Sequence, residues 1–238
     1  MKKKLIWIIS GVLVLAIAVA AVWLVAFHLP AVQRIKAHQQ AVASSLALRL
    51  EMYEEDNEKY DDYEVDVAFL GDSLTECYDL ARYYPQFVTA NRGIGGDTTI
   101  GLEKRMQVSV YDLKPKVVVM LIGANNLDTM FDNYEDLLIG LRDNLPQTKV
   151  VLVSLTAMGR DWGHKNQLAT YNNVKIKLLA EKYGYSFVDL YTPLFDLETG
   201  EIYAAYTNDG AHQTHEGYQV FTNTITPVVT ALLNDWGE

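Results

Sequence analysis

V-D-V-A-F-L-G-D-S-L-T, residues 65–75, is the stretch that decides the fold. The run Val65–Leu70 ends abruptly in Gly71-Asp72-Ser73-Leu74. A short apolar run closed by a glycine predicts a buried strand of a mostly parallel sheet. Ser73 then stands at the carboxyl end of that strand, the edge of an open α/β sheet where ligands bind. A serine there becomes a nucleophile only if a base and an oxyanion-binding group can reach it.

Downstream, short apolar runs alternate with helical periodicities, the pattern of a parallel α/β sheet. Further strands are predicted at Phe87–Ala90, Val117–Ile122, Val150–Leu155 and Ser186–Leu190. Tyr134, Leu137, Leu138, Leu141 and Leu145 fall on one helical face, with Asn133 as N-cap and Pro146 as stop. Leu168, Tyr171, Val174, Leu178 and Leu179 make a second apolar stripe, closed by Gly184. A last helix from about Thr214 carries Tyr218, Phe221, Ile225, Val229 and Leu232, with Pro227 predicted to kink it.

Four polar clusters follow strands or precede the last helix: Gly71–Leu74, Asn91–Thr98, Gly123–Asn126 and Asp209–His212. Taken singly, each has a bland reading. G-D-S-L is a common turn, and G-I-G-G-D-T lacks both the lysine of a P-loop and the G-x-G-x-x-G spacing. Asn125 alone is a loop amide, and Asp209 with His212 alone is a surface pair. Loops after parallel strands share one edge, so clusters far apart in sequence converge there. Their joint occurrence in this order makes the bland readings improbable.

Together the four blocks resemble the SGNH (GDSL) hydrolase family of esterases and acylhydrolases, from about Val65 to Leu233. The resemblance implies a flavodoxin-like three-layer α/β/α sandwich around a five-stranded parallel sheet. It implies Ser73 as nucleophile, His212 as general base and Asp209 as the carboxylate that orients the imidazole. The implied oxyanion hole is the backbone N–H of Ser73, the backbone N–H of Gly96 and the side-chain amide of Asn125. One position departs from the family pattern: the residue after the oxyanion asparagine, commonly Asp, is Asn126. No cofactor is implied.

The chemistry asks for these residue types. A serine hydroxyl is a weak nucleophile until an imidazole takes its proton, and the imidazole needs one tautomer, held by a carboxylate. A three-residue spacing in a turn brings Asp209 and His212 together locally. The order of residues is not that of an ordinary α/β-hydrolase, whose serine lies in G-x-S-x-G. His215 falls in the first turn of the last helix, where a solvated or capping role is expected. Arg160 and Trp162, in the polar loop Gly159–His164, are candidate substrate contacts, with an ordinary surface loop as the equal alternative. No H-E-x-x-H or comparable cluster is present, so no metal is expected.

Composition bounds the rest. The formal charge is −10, and nine acids against Lys59 alone lie between Glu51 and Asp66, which reads as a solvated linker. An acidic chain without a basic patch argues against nucleic-acid partners. Cys77 is the only cysteine, which excludes an internal disulfide, and it reads as a small core residue. Leu5–Phe27 carries no charge and follows Lys2, Lys3 and Lys4. As a helix it spans about 35 Å, enough to cross a bilayer with the N-terminus cytoplasmic. The alternative is a signal peptide cleaved near Ala18-Val19-Ala20, giving a secreted protein.

The expected layout is a membrane anchor at 1–29, a helical stalk and acidic linker at 30–64, and a hydrolase domain at 65–238. The expected function is a single-pass, extracytoplasmic serine esterase acting on small acyl esters, O-acetyl on carbohydrate foremost. Alternatives are a lysophospholipase or thioesterase for longer chains, an acyltransferase at the same site, or a silent carbohydrate-binding module. The sequence leaves the oligomeric state open.

Overall fold

The structure, a computed structural model, describes Ala16, Val19, Ala20 and residues 22–237. The expected span Leu5–Phe27 lies largely outside the described residues, and among them no helix is long and apolar enough to cross a membrane. The chain divides into two compact units, Met1–Arg49 and Leu50–Glu238. The first is helical throughout its described residues. Helix α1 covers Leu29–Asn57, and its residues from Leu50 onward belong to the second unit.

In the second unit β1 (Val67–Gly71) leads into the short helices α2 (Ser73–Glu76) and α3 (Leu80–Tyr83), then β2 (Thr89–Gly93) and α4 (Thr99–Lys104). Next come β3 (Val117–Leu121), α5 (Tyr134–Asn144), β4 (Lys149–Val153), α6 (Asn166–Tyr183) and β5 (Ser186–Val188). A short helix α7 (Tyr191–Leu194), a hairpin of β6 (Phe195–Asp196) and β7 (Glu201–Ile202), and α8 (His215–Asn234) complete the chain. The five main strands pair in parallel in the order β2-β1-β3-β4-β5. This is the flavodoxin-like order, whose topological switch point lies between β1 and β3.

Alternate strand residues feed two cores, as the period of two requires. Ala68, Leu70, Val118, Met120 and Leu152 pack with Leu102 of α4, Leu138 and Leu141 of α5 and Ile176 of α6. Val67, Phe69, Val119, Val151 and Val153 pack on the other side with Tyr218, Phe221, Ile225 and Val229 of α8. The expected α/β/α sandwich with a five-stranded parallel sheet is therefore present.

Several local expectations are corrected. The second strand is Thr89–Gly93 rather than Phe87–Ala90, because a sequence as polar as T-A-N-R-G is satisfied there by side-chain bonds from Asn91 and Arg92. The stripe Tyr171, Val174 and Leu178 faces solvent rather than the core. The α6 face turned inward instead carries Asn166, Ala169, Asn172, Ile176 and Ala180. Its asparagines, with Asn173, hydrogen-bond the irregular backbone at Leu127, Leu155 and Met158, outside the five-stranded sheet. Satisfying those buried peptide groups outweighs the count of apolar residues.

Asn133 precedes α5 as expected, yet its side chain bonds Thr99 and Glu103 instead of capping the helix. Cys77 ends α2 and is exposed, not core. Helix α8 continues through Pro227, which shares the exposed face with Asn223, so the carbonyl it leaves unpaired is open to water. The acidic stretch is no free linker. Asp56 pairs with Arg92, Asp62 with Lys114 and Asp66 with Lys116, all within the second compact unit.

Candidate active site

Ser73 begins α2 directly after β1, and Asp72 is the N-cap whose carboxylate accepts from the Leu74 N–H at 3.0 Å. Asn125 follows β3 in a single 3-10 turn, Ala124–Asn126. The two therefore stand on either side of the β1/β3 switch point. His212 comes from the loop that enters α8. Its Nε2 lies 3.0 Å from Ser73 Oγ, and its Nδ1 lies 2.7 Å from Asp209 Oδ2. The second Asp209 oxygen accepts from the N–H groups of Ala211 at 2.9 Å and His212 at 2.8 Å.

Burial acts to raise the Asp209 pKa, but the bonds from the His212 ring and these two N–H groups outweigh it and hold the carboxyl at about 2. A carboxylate there fixes the proton on Nδ1 and leaves the Nε2 lone pair facing the serine. An imidazole so placed can accept the Ser73 proton.

The loop carrying Asp209 and His212 is tied to itself. Thr207 Oγ1 donates to the His212 carbonyl at 2.9 Å and accepts from the Gly210 N–H at 2.9 Å. The Asn208 side chain donates to the Gln213 carbonyl at 2.9 Å. From outside, the Gly159 N–H reaches the Gly210 carbonyl at 2.8 Å, and the Arg160 guanidinium donates to the Asn208 carbonyl at 2.8 Å. Arg160, expected as a substrate contact, thus braces the loop that carries the base. Trp162 lines the cavity beside Ser73, with Lys165 Nζ 4.5 Å above its ring. His215 bonds Tyr83 at 2.6 Å and stands apart from the relay.

Gly96 sits in the turn Ile94–Asp97, closed by the Asp97 N–H on the Ile94 carbonyl at 3.1 Å. Its φ of 74° is the value that the third position of a type II turn demands. The Asn125 amide donates to the Asp97 carbonyl at 2.9 Å, which turns the NH₂ group, with a second hydrogen to spare, toward that turn. Asn126, at the position where the resemblance expects Asp, holds Thr99 with both ends of its amide. Its carbonyl oxygen accepts from the Thr99 N–H at 3.3 Å and its NH₂ donates to Thr99 Oγ1 at 2.9 Å. The Thr99 hydroxyl in turn donates to Asn133 Oδ1 at 2.7 Å.

Arg105, 3% exposed, lies beneath the same turn. It donates to Asp97 Oδ2 at 2.8 Å, to the Arg92 carbonyl at 2.9 Å and to the Gly71 carbonyl at 3.0 Å, joining the ends of β1 and β2. The sequence reading missed Arg105. It follows Glu103 and Lys104 directly, so in the sequence nothing sets it apart from a run of solvated charges.

Ser73, His212 and Asn125 open onto one cavity of about 80 Å³, with Asp72, Leu74, Ala124, Thr156, Met158, Trp162 and Ala211 in its wall. Among these, Thr156 and Met158 had no sequence signal beyond their position after a strand. Asp72 is 1% exposed, and burial pushes its carboxyl up to about 6 against the pull of the Leu74 N–H. Among the described residues, no group of three His, Cys, Asp or Glu side chains is placed to hold a metal ion.

A sequence model of the GDSL-like lipase/acylhydrolase family matches residues 69–220. The chain is 27% identical over 196 residues to the platelet-activating factor acetylhydrolase IB subunit alpha2 of Homo sapiens, covering 74% of this chain and 81% of that one. A GDSL-like lipase from Bacteroides thetaiotaomicron superposes with a TM-score of 0.68 at 25% identity, over 76% of this chain and 97% of its own. An acetyl xylan esterase from Geobacillus stearothermophilus superposes with a TM-score of 0.59 over 71% of this chain and 95% of its own. At 20% identity that likeness bears on the fold alone.

Proposed function

This chain belongs to the GDSL-like lipase/acylhydrolase family and is a serine ester hydrolase, and we propose that it removes small acyl groups, acetyl foremost, from carbohydrate esters. The observation that carries this reading is the Asp209–His212–Ser73 relay opening onto a cavity of only about 80 Å³. Pockets for drug-sized ligands run to roughly 300–1,000 Å³. A space this small, walled by Leu74, Met158 and Trp162, suits a group of a few heavy atoms and not a long acyl chain. An acetyl group is also what the name of the acetylhydrolase relative specifies.

In this mechanism His212 Nε2 takes the Ser73 proton as Oγ adds to the ester carbonyl. The oxyanion that forms is met by the N–H groups of Ser73 and Gly96 and by the free hydrogen of the Asn125 amide. As the ester C–O bond breaks, the imidazolium, held by Asp209, hands its proton to the departing sugar oxygen, which leaves as a hydroxyl. Water repeats the sequence on the acyl-enzyme and frees the acid and Ser73. Membrane attachment through Leu5–Phe27, with the domain outside the cell, is the localisation we propose with it, supported by the uncharged run and the preceding lysines.

The test is initial-rate hydrolysis of p-nitrophenyl acetate, butyrate and octanoate by the full chain in detergent, beside Ser73→Ala, followed by acetate release from acetylated oligosaccharides. The reading expects kcat/KM to fall steeply with chain length and to vanish in the variant. A preference for octanoate would move the substrate to lipids. Extraction of the protein from membranes by alkaline carbonate alone would contradict the anchor.

A further inference from the structure

The residues that match the family begin at 69, yet the turn that holds Gly96 is gripped by side chains well upstream of that point. The Tyr53 hydroxyl, at the end of α1, donates to the Gly93 carbonyl at 2.8 Å, and the Tyr53 ring is buried at 5% exposure. The Arg92 guanidinium lies 4.8 Å from that ring and donates to Asp56 Oδ2 at 2.8 Å and Asn57 Oδ1 at 2.9 Å. Asn57 in turn donates to the Val108 carbonyl at 2.8 Å. Arg92 is only 2% exposed, so its charge depends on these partners. Though burial opposes it, Arg92 holds the Asp56 carboxyl below its usual range, in keeping with a standing ion pair.

Resting on the esterase reading, we propose that Tyr53, Asp56 and Asn57 are positioning residues for the oxyanion hole, acting through Arg92 and Gly93. Gly93 is the lever. It is the last residue of β2, three positions before Gly96. Its α-carbon is packed so closely on the serine's helix that an added Cβ would stand 2.1 Å from the Glu76 nitrogen and 2.6 Å from the Thr75 carbonyl carbon. The next residue, Ile94, donates to the Gly71 carbonyl at 3.1 Å. Gly93 is therefore wedged between the Tyr53 hydroxyl and the backbone that carries Ser73. Arg105 holds the same segment through the Arg92 carbonyl and Asp97.

Displacing Gly93 shifts the Gly96 N–H relative to Ser73 Oγ. That loss is felt in the transition state, where the oxyanion is fully charged, more than in substrate binding. The helix that leads out of the proposed membrane anchor thus ends as part of the catalytic framework.

The decisive variant is Tyr53→Phe in the full chain, which keeps the buried ring and its stacking on Arg92 and removes one hydroxyl. Loss of one such bond predicts a fall in kcat on p-nitrophenyl acetate of about fivefold, with KM unchanged. The same substitution in an Asn125→Ala background is expected to cost less than about twofold, because the hole it serves is already broken. Asp56→Asn, on the exposed side of the Arg92 pair, follows the same pattern and guards against a folding defect particular to position 53. Wild-type turnover in Tyr53→Phe, or an equal loss in both backgrounds, overturns the proposal while leaving the esterase reading intact. Absence of Ser73-dependent hydrolysis in the unmodified chain would overturn both.

Discussion

The two halves of the site are built in opposite ways. The relay half is local and open: Asp209 and His212 are three residues apart, and their side chains are 50% and 45% exposed. The loop that carries them is held mainly by its own hydrogen bonds. The proposed oxyanion half is assembled over distance and in the interior. The Arg105 and Asp97 side chains are 2% and 10% exposed, and they tie together β1, β2 and the turn between β2 and α4. The relay must move protons and release an alcohol, which tolerates solvent. Oxyanion donors act through fixed dipoles, which gain from rigidity and a low dielectric. Activity and stability should therefore separate in the first half and fall together in the second.

The largest separation is expected for Asp209→Asn, which leaves the imidazole in the wrong tautomer. By analogy with other triads, kcat should fall by about 10⁴. Since the side chain is half exposed, thermal unfolding should shift little. A large loss of Tm would break the contrast. Arg105→Lys tests the other half, because one ammonium cannot reach Asp97, the Arg92 carbonyl and the Gly71 carbonyl together. Turnover should drop by roughly 10²–10³, the cost of a lost oxyanion donor, and Tm should fall with it. Full activity with a lowered Tm would make Arg105 a fold residue only.

Asp72 sits at the seam, buried beside the serine, with a carboxyl raised to about 6. A raised carboxyl pKa means that the folded state binds more protons than the unfolded state between about pH 4 and 6, so stability declines as pH rises through that window. At pH 7 the penalty is on the order of 3 kcal/mol. Asp72→Asn, which retains an acceptor for the Leu74 N–H, should flatten that decline in denaturant titrations at pH 4, 6 and 7.5. An unchanged slope would contradict the buried charge. The smallest effect concerns the rim. Trp162→Ala enlarges the cavity and should raise the butyrate-to-acetate ratio of kcat/KM by about tenfold, the worth of one or two methylenes.

The contrast also explains what could be read from the sequence. Ser73, His212 and Asn125, which meet at one cavity, and Asp209, which bonds His212, were legible because each lies in a short motif at a strand end or helix entry, and the sheet order brings such ends together. The strands themselves were legible where apolar runs are buried on both faces, as at Val117–Leu121. What escaped are polar residues whose partners are distant in sequence: Arg105 under the turn, Arg160 on the Asn208 carbonyl, and Asp56 and Asn57 on Arg92. No periodicity marks such pairs, and a cluster of acids reads as solvated until the arginine that neutralises one of them is found. The inward face of α6 was misjudged for the same reason, because Asn166, Asn172 and Asn173 satisfy backbone groups that the sequence does not announce.

The most direct measurement is labelling of the full chain with a fluorophosphonate, followed by identification of the modified peptide. The account predicts a single adduct on Ser73, abolished in Ser73→Ala and strongly slowed in His212→Ala, whose serine has lost its base. An adduct elsewhere, or no adduct on protein shown to be folded, would contradict the assignment of Ser73 as the activated nucleophile.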